Sequence, residues 1–314
     1  MSFPSLIERV PVISPDVPPR PRLLLVDGHA YAYRSFFAIR SLNAPDGSPT
    51  NAIFGFIKSL QRLEAALQPS HRLVLWDAGL DVERQSALPG YKANRPPTPE
   101  ALEKQFPQLE DWLVSAGWGS HKVEGTEADD WIATYARRAD KAGWETVIAS
   151  ADKDFLQLVG DRIGLVNPND KSGKIWTATD VQTKTGVQPD QIVDWLSLVG
   201  DAADNIPGVP GVGPKTATDL LLRFRTAGEL LARTVELKSE NQRAAVQGAS
   251  GAVRRNQILI RLKDDMEGGP MLEDLVPKPV KASELREKYQ RWGFKSLLAE
   301  LGPEPGAPTQ GNLF

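Results

Sequence analysis

The sequence has no cysteine and only three histidines, His29, His71 and His121, at scattered positions. The first absence excludes disulfides and thiolate metal sites; the second leaves no zinc spacing. Also missing is any apolar run as long as a membrane span. Six prolines precede Arg22, together with Glu8 and Arg9, so the start is not a signal peptide and residues 1–21 read as a disordered extension. The expected location is cytoplasmic. Nor is there an excess of basic charge: 37 Lys and Arg stand against 40 Asp and Glu, a net charge of −3. That balance argues against a nucleic-acid partner only until nine acids are set aside as one site. The 31 others then face 37 bases, a remainder of about +6.

What is present is an ordinary globular composition, 41% hydrophobic, in 314 residues, enough for a sizeable core and two domains. One stretch organises the rest: Gly200 to Ala217. Its first half holds Asp201 and Asp204; its second half is a turn with Gly208, Gly211 and Gly213, where a Cβ would block backbone conformations or close approaches. Ala217, Leu220, Leu221 and Phe224 then follow at helical period. A glycine turn feeding a helix start presents free N–H groups to a phosphate. The same pattern is also met where glycine and proline merely connect two helices and the aspartates cap them.

Earlier in the chain, Leu23–Val26, Leu73–Trp76 and Val147–Ala149 are short apolar runs of strand type. Between them lie helical stripes: Phe56, Leu60, Leu63 and Leu67; Leu102, Phe106, Leu109 and Leu113; Ile132, Tyr135, Ala136 and Ala139. This alternation predicts an α/β fold with a mainly parallel central sheet flanked by helices. Asp27, Asp77, Asp152 and Asp154 fall just past the predicted strands, where open α/β sheets bind ligands. Any one of them could be a turn former or helix cap; four at the same relative position are harder to explain so. Glu127, Asp129 and Asp130 open a helix, where acids suit the dipole, yet three carboxylates in four residues repel one another. An all-carboxylate set suits hard cations, Mg²⁺ or Mn²⁺, and so many acids exceed the need of one ion.

Residues 78–97 carry Arg84, Tyr91, Lys92 and Arg95 among prolines and glycine. They read either as a solvated loop or as a mobile cationic flap over the acids, with Tyr91 offering a base-stacking face beside the Lys92 phosphate contact. Residues 228–301 read as helical. Val253–Arg261 is a structural helix, and Trp292, Phe294, Leu297, Leu298 and Leu301 dock a closing helix on the core.

Taken together, Leu25-Val26-Asp27-Gly28, Trp76-Asp77-Ala78, Gly90-Tyr91-Lys92-Ala93-Asn94-Arg95, Glu127-Ala128-Asp129-Asp130, Ala151-Asp152-Lys153-Asp154 and Gly200–Val209 resemble the bacterial 5′-nuclease family. That family comprises flap endonucleases and the 5′-exonuclease domain of DNA polymerase I. The likeness covers roughly residues 22 to 301 in uninterrupted order. It implies a nuclease core over 22–185 with a helical arch at about 78–115, and a helix–hairpin–helix module within 186–301 that grips duplex DNA. It also implies divalent-metal binding by Asp27, Asp77, Glu127, Asp129, Asp130, Asp152, Asp154, Asp201 and Asp204. Lys92 matches the arch lysine, and Arg84 looks like a second catalytic arch cation. Tyr91, Arg95, Gly208, Gly211, Gly213, Lys215 and Thr216 would meet DNA, and carbonyls of the module around Val209 and Val212 would bind K⁺. The implied activity is structure-specific: a monomer hydrolysing DNA at 5′ flaps, nicks or junctions, or RNA primers, in replication and repair. No polymerase segment follows in these residues, so the chain reads as a free-standing nuclease or a piece of a longer one.

Residues 302–314 read as a flexible tail. Its end, Gln310-Gly311-Asn312-Leu313-Phe314, resembles the short peptide by which bacterial replication proteins bind the sliding clamp, with Gln310 as polar hook and Leu313 and Phe314 as apolar anchors. A terminus without a partner is the plainer alternative.

Overall fold

Leu23 to Val26 are all fully buried, because strand β1 (Arg22–Asp27) runs through a sheet covered on both faces. The computed structural model describes residues 20–170 and 172–303. After β1 come α1 (Gly28–Ala38), α2 (Asn51–Leu67), β2 (His71–Trp76), α3 (Val82–Ala87), α4 (Glu100–Glu103), α5 (Phe106–Ser115) and β3 (Gly119–Lys122). The chain then returns past β1 through α6 (Ala128–Lys141), β4 (Glu145–Ala149), β5 (Ile163–Val166) and β6 (Ile175–Trp176). The sheet order is β3-β2-β1-β4-β5-β6, parallel throughout except for β6. The order reverses between β1 and β4, which opens a crevice at the carboxyl edge.

Period-two alternation divides the core. Leu23, Leu25, Leu73, Leu75 and Ile148 pack with α6; Leu24, Val26, Val74, Trp76, Val147 and Ala149 pack with the α1, α2 and α5 side. Arg72 lies buried in β2 because it stacks over Trp118 (4.5 Å), pairs with Glu64 and donates to the Ala116 carbonyl.

The single helix expected over 102–113 is two. Pro107 lacks the N–H and would clash with the preceding turn, so α5 starts afresh around it. The freed Gln105 caps α2, accepting from the N–H groups of Ala52 (2.9 Å) and Ile53 (3.2 Å).

Helix α7 (Ala178–Thr185) ends the first part, and the second contains α8 (Ile192–Val199), the antiparallel pair β7 (Gly200–Asp201) and β8 (Ile206–Pro207), and α9 (Pro214–Phe224). Then follow α10 (Ala227–Ala232), α11 (Glu240–Gly248), α12 (Ser250–Ile260), α13 (Ala282–Trp292) and α14 (Lys295–Glu300). Although grouped by sequence with the module, α13 and α14 return to the sheet: Leu285, Tyr289, Trp292, Phe294 and Leu297 join the α2–α5 core, and the Trp112 indole donates to the Tyr289 hydroxyl (2.9 Å). Among the described residues no helix is long and apolar enough to cross a membrane. Gln310, Leu313 and Phe314 lie outside the described residues.

Candidate metal centre and nucleic-acid interface

Asp27 ends β1, and its carboxylate does two jobs at once. Oδ1 caps α1 by accepting from the Ala30 N–H (2.9 Å), while Oδ2 accepts from the buried Ser150 hydroxyl (2.9 Å) just after β4. Asp77, just past β2, accepts from the Ala128 N–H at the start of α6 (2.8 Å). Asp27, Asp77, Glu127, Asp129 and Asp152 line one cleft of about 660 Å³, with Lys92, Arg95 and Tyr33 on its other walls. A second group forms beside it. Asp154, Asp201 and Asp204 are all buried and offer oxygens within 4.8 Å of one another. Asp154 comes from the turn after β4, whereas Asp201 and Asp204 come from β7 and the loop behind it.

These carboxylates strain against one another. Burial, then the neighbouring Asp77, pushes the Asp27 carboxyl up to about 7 despite its two hydrogen bonds. Burial and Asp152 hold Asp129 and Asp154 well above the usual carboxylate range, and Asp152 itself is raised by burial. Glu127 Oε1 and Asp154 Oδ1 are buried with no hydrogen-bond partner. Two orphaned oxygens, crowded acids and an all-oxygen donor set fit hard divalent cations.

The expected flap proves to be packed down. Arg84, Tyr91 and Lys92 are buried, so these three are anchored inward, while residues 93–97 of the same segment are exposed. The reason is electrostatic. Glu127 Oε2 accepts from Arg84 (2.9 Å), the Tyr91 hydroxyl (3.1 Å) and Lys92 Nζ (3.0 Å). Burial opposes the Lys92 charge, but Asp129 and Glu127 outweigh it and raise its pKa. Arg95 reaches Asp204 Oδ1 (2.6 Å) and Lys153 reaches Asp201 Oδ1 (2.7 Å), both half-exposed.

Three expectations change here. Asp130 lines neither acidic group: it holds Arg84 through both oxygens (2.7 and 2.8 Å) and accepts from the Lys263 N–H (2.9 Å), so three of its acceptor sites are committed away from them. Arg84, 2% exposed, is thereby a buried counter-ion and not a cation free to meet substrate. Tyr91, 4% exposed, packs in the core behind Glu127, which removes its face from base stacking.

In the glycine module, the three glycines differ. A Cβ on Gly208 would lie 2.2 Å from the Val199 carbonyl oxygen, and Gly211 has φ +77°, so each needs glycine. Gly213, the residue before α9, has φ −91° and open space around it, so the fold does not require glycine there. Lys215 is exposed and Thr216 half-buried on the first turn of α9. The Val209 and Val212 side chains are buried, and the Val209 carbonyl accepts from the Val212 N–H (3.0 Å).

Sequence reasoning missed three contributors. Ser150 joins Asp27 to the Asp152 N–H (3.1 Å); a serine directly after a strand, two residues before an acid, was the available signal. His29 accepts the Asp77 N–H on Nδ1 (3.1 Å) between Trp76 and Phe106, and burial lowers its pKa. Tyr33 lines the cleft, its hydroxyl 2.6 Å from that of Thr98; nothing in the sequence pointed to it.

Residues 22–186 match the family described as "5′-3′ exonuclease, N-terminal resolvase-like domain", and residues 187–283 match "5′-3′ exonuclease, C-terminal SAM fold". A protein named 5′-3′ exonuclease from Aquifex aeolicus is 36% identical over 292 residues, 93% of this chain and 99% of that protein. The thermostable DNA polymerase I of Thermus thermophilus is 38% identical over 287 residues, 90% of this chain but only 34% of the polymerase, so the chain spans about a third of it. Among solved structures, the T5 D15 protein co-crystallised with metal ions shares the fold at a TM-score of 0.65 with 20% identity, covering 89% of this chain and 96% of that one. The catalytic core of Rad2 in complex with DNA substrate matches at 0.61 with 15% identity, covering 90% and 92%. The acidic edge, the glycine module behind it and these two contiguous matches lead to one conclusion: the chain belongs to the 5′-3′ exonuclease family of metal-dependent nucleases.

Proposed function

We propose that this chain is a structure-specific nuclease that hydrolyses DNA phosphodiesters at 5′ flaps, nicks and junctions, RNA-primed ends included. The observation that carries the reading is the gathering of eight carboxylates into two adjoining groups, two of their oxygens buried without partners. Asp27, Asp77, Glu127, Asp129 and Asp152 would hold divalent ions in the cleft, and Asp154, Asp201 and Asp204 would hold another beside it, Mg²⁺ or Mn²⁺ by donor type. Bound there, such ions supply an activated water and stabilise the departing 3′ oxygen.

The chain's own residues do the rest. Lys92, kept protonated by Asp129 and Glu127, presents a fixed positive charge at the cleft wall where a scissile phosphate gains negative charge. Arg84 and Tyr91 hold Glu127 in place from behind. Arg95 and Lys153, half-exposed at the second group, are placed to meet flanking phosphates. The open space around Gly211 and Gly213, the exposed Lys215 and the half-buried Thr216 at the start of α9 suit a duplex backbone, with Val209 and Val212 carbonyls as K⁺ ligands. Hydrolysis would leave a 5′ phosphate and a 3′ hydroxyl. The rest of the reading is a cytoplasmic monomer whose Gln310, Leu313 and Phe314 bind the sliding clamp.

Comparing a 5′-flap duplex, a nicked duplex and a small phosphoester with Mg²⁺ tests the reading. Cleavage of the DNA alone supports it. Binding without cleavage would indicate a junction-binding protein, and turnover of the small ester a phosphatase.

A further inference from the structure

Four hydrogen bonds join the turn carrying Lys92 to the loop between β7 and β8. Asn205 Nδ2 donates to the Gly90 carbonyl (2.7 Å) and Asn94 Nδ2 donates to the Ala202 carbonyl (2.8 Å). The Lys92 N–H donates to the Asp204 carbonyl (3.0 Å), and Arg95 donates to Asp204 Oδ1 (2.6 Å). The contacts run in both directions, each segment sending an amide side chain to the other's backbone. Lys92 and Asn205 both have left-handed backbones, φ +56° and +58°. Asparagine tolerates that conformation better than most residues, whereas a lysine adopts it only where its surroundings impose it. Here the left-handed Lys92 directs its N–H to the loop while its Nζ reaches Glu127 inside the cleft (3.0 Å).

We infer that Asn205, with Asn94 as its counterpart, is a positioning residue that fixes Lys92 by tying its turn to the glycine module. The loop holding Asp201 and Asp204 leads into Gly208 and the helix start of α9, so the module's docking and the placement of Lys92 are one hydrogen-bonded unit. A module displaced from the sheet would carry the Lys92 turn with it. The inference rests on the proposal that Lys92 stabilises the transition state. It adds that the second part of the chain determines where Lys92 stands.

The test is a cycle of single-turnover rates on a 5′-flap duplex at saturating DNA and Mg²⁺, using wild type, Lys92→Ala, Asn205→Gly and the double variant. Asn205→Gly keeps the left-handed backbone and removes only the donor; Asn205→Asp, of the same shape, replaces the donor with an acceptor and serves as the second variant. Each Asn205 variant should slow cleavage about 10-fold or more, with flap affinity in Ca²⁺ and half-saturating Mg²⁺ unchanged within about twofold. In the Lys92→Ala background the same substitutions should have no further effect. Rate losses that multiply in the double variant would overturn the inference, as would a shifted Mg²⁺ requirement, which would mean that Asn205 acts through Asp204. If Lys92→Ala itself leaves the rate unchanged, the parent proposal for Lys92 fails instead.

Discussion

The two acidic groups are built differently. The cleft group comes from strand ends and one helix start, Asp27, Asp77, Glu127, Asp129 and Asp152, all within residues 22–186. The trio takes Asp154 from that part and Asp201 and Asp204 from the next, so it exists only where the two parts dock. Their counter-charges differ too. Lys92 and Arg84, against the cleft group, are 5% and 2% exposed at the side chain; Arg95 and Lys153, against the trio, are 47% and 42% exposed. Buried cations are permanent parts of a site, because removing one leaves an uncompensated charge, whereas exposed ones are weakly held and can exchange partners. The cations of the cleft group are thus fixed in place, and those of the trio are free to exchange partners.

Substitutions should separate the two groups, in descending order of effect. Asp152→Ala in the cleft and Asp201→Ala in the trio should each reduce flap cleavage about 10³-fold or more, while thermal melts in EDTA show no loss of stability, since each change relieves carboxylate repulsion. Full Mg²⁺-dependent activity in either would sink that residue's assignment. Lys92→Ala should slow cleavage about 10²-fold at saturating substrate and weaken flap binding only modestly; a loss confined to affinity would reassign it as a phosphate contact. The corresponding change at the trio, Arg95→Ala, should cost less, since Arg95 is half-exposed.

The glycine module gives a finer contrast. Gly211→Val should lower both Tm and duplex affinity, the latter about tenfold, because φ +77° strains a β-branched residue by about 1–2 kcal/mol. Gly213→Ala should leave Tm unchanged, since its Cβ meets nothing in the protein, and reduce duplex affinity by about threefold only if phosphate approaches there. Unchanged affinity at matched salt would make Gly213 a structural turn.

A last effect is expected on stability against pH. Asp27 has a folded pKa of about 7, above its ordinary 3.8, so between those values the native protein binds more protons than the unfolded chain. Its contribution is therefore greatest at low pH and is lost as pH rises through about 7. Melts in EDTA should show Tm falling over that window, and Asp27→Asn should flatten the fall. Mg²⁺ should oppose it by binding the ionised form.

Much of this was legible in the sequence because strand ends are readable. Leu23–Val26 and Leu73–Trp76 are apolar on both faces, so their boundaries, and Asp27 and Asp77 beyond them, follow from burial alone. The edge strand Gly-Ser-His-Lys at 119–122 has no such signal, being short and polar. Helix α1 was hidden because its cap, Asp27, also belongs to the site and its buried face, Gly28, Tyr31, Ala32 and Ser35, lacks a run of large apolar residues. The misreadings of Arg84, Tyr91 and Asp130 share one cause. A segment's composition shows its charges but not their partners, and here a Pro/Gly-rich stretch resembling a solvated loop is drawn inward by Glu127 and Asp130. The tie between Asn205 and Gly90 spans 115 residues and leaves no local trace.

The central claim is that the acids form two separate cation groups, one fixed on the sheet and one assembled at the docking of the two parts. Calorimetric titration of Mn²⁺ into the wild type, Asp27→Asn and Asp201→Ala, without DNA, tests it most directly. The account predicts two classes of site in the wild type, with Asp201→Ala losing one and Asp27→Asn weakening the other. A single class of site, abolished equally by both substitutions, would contradict it.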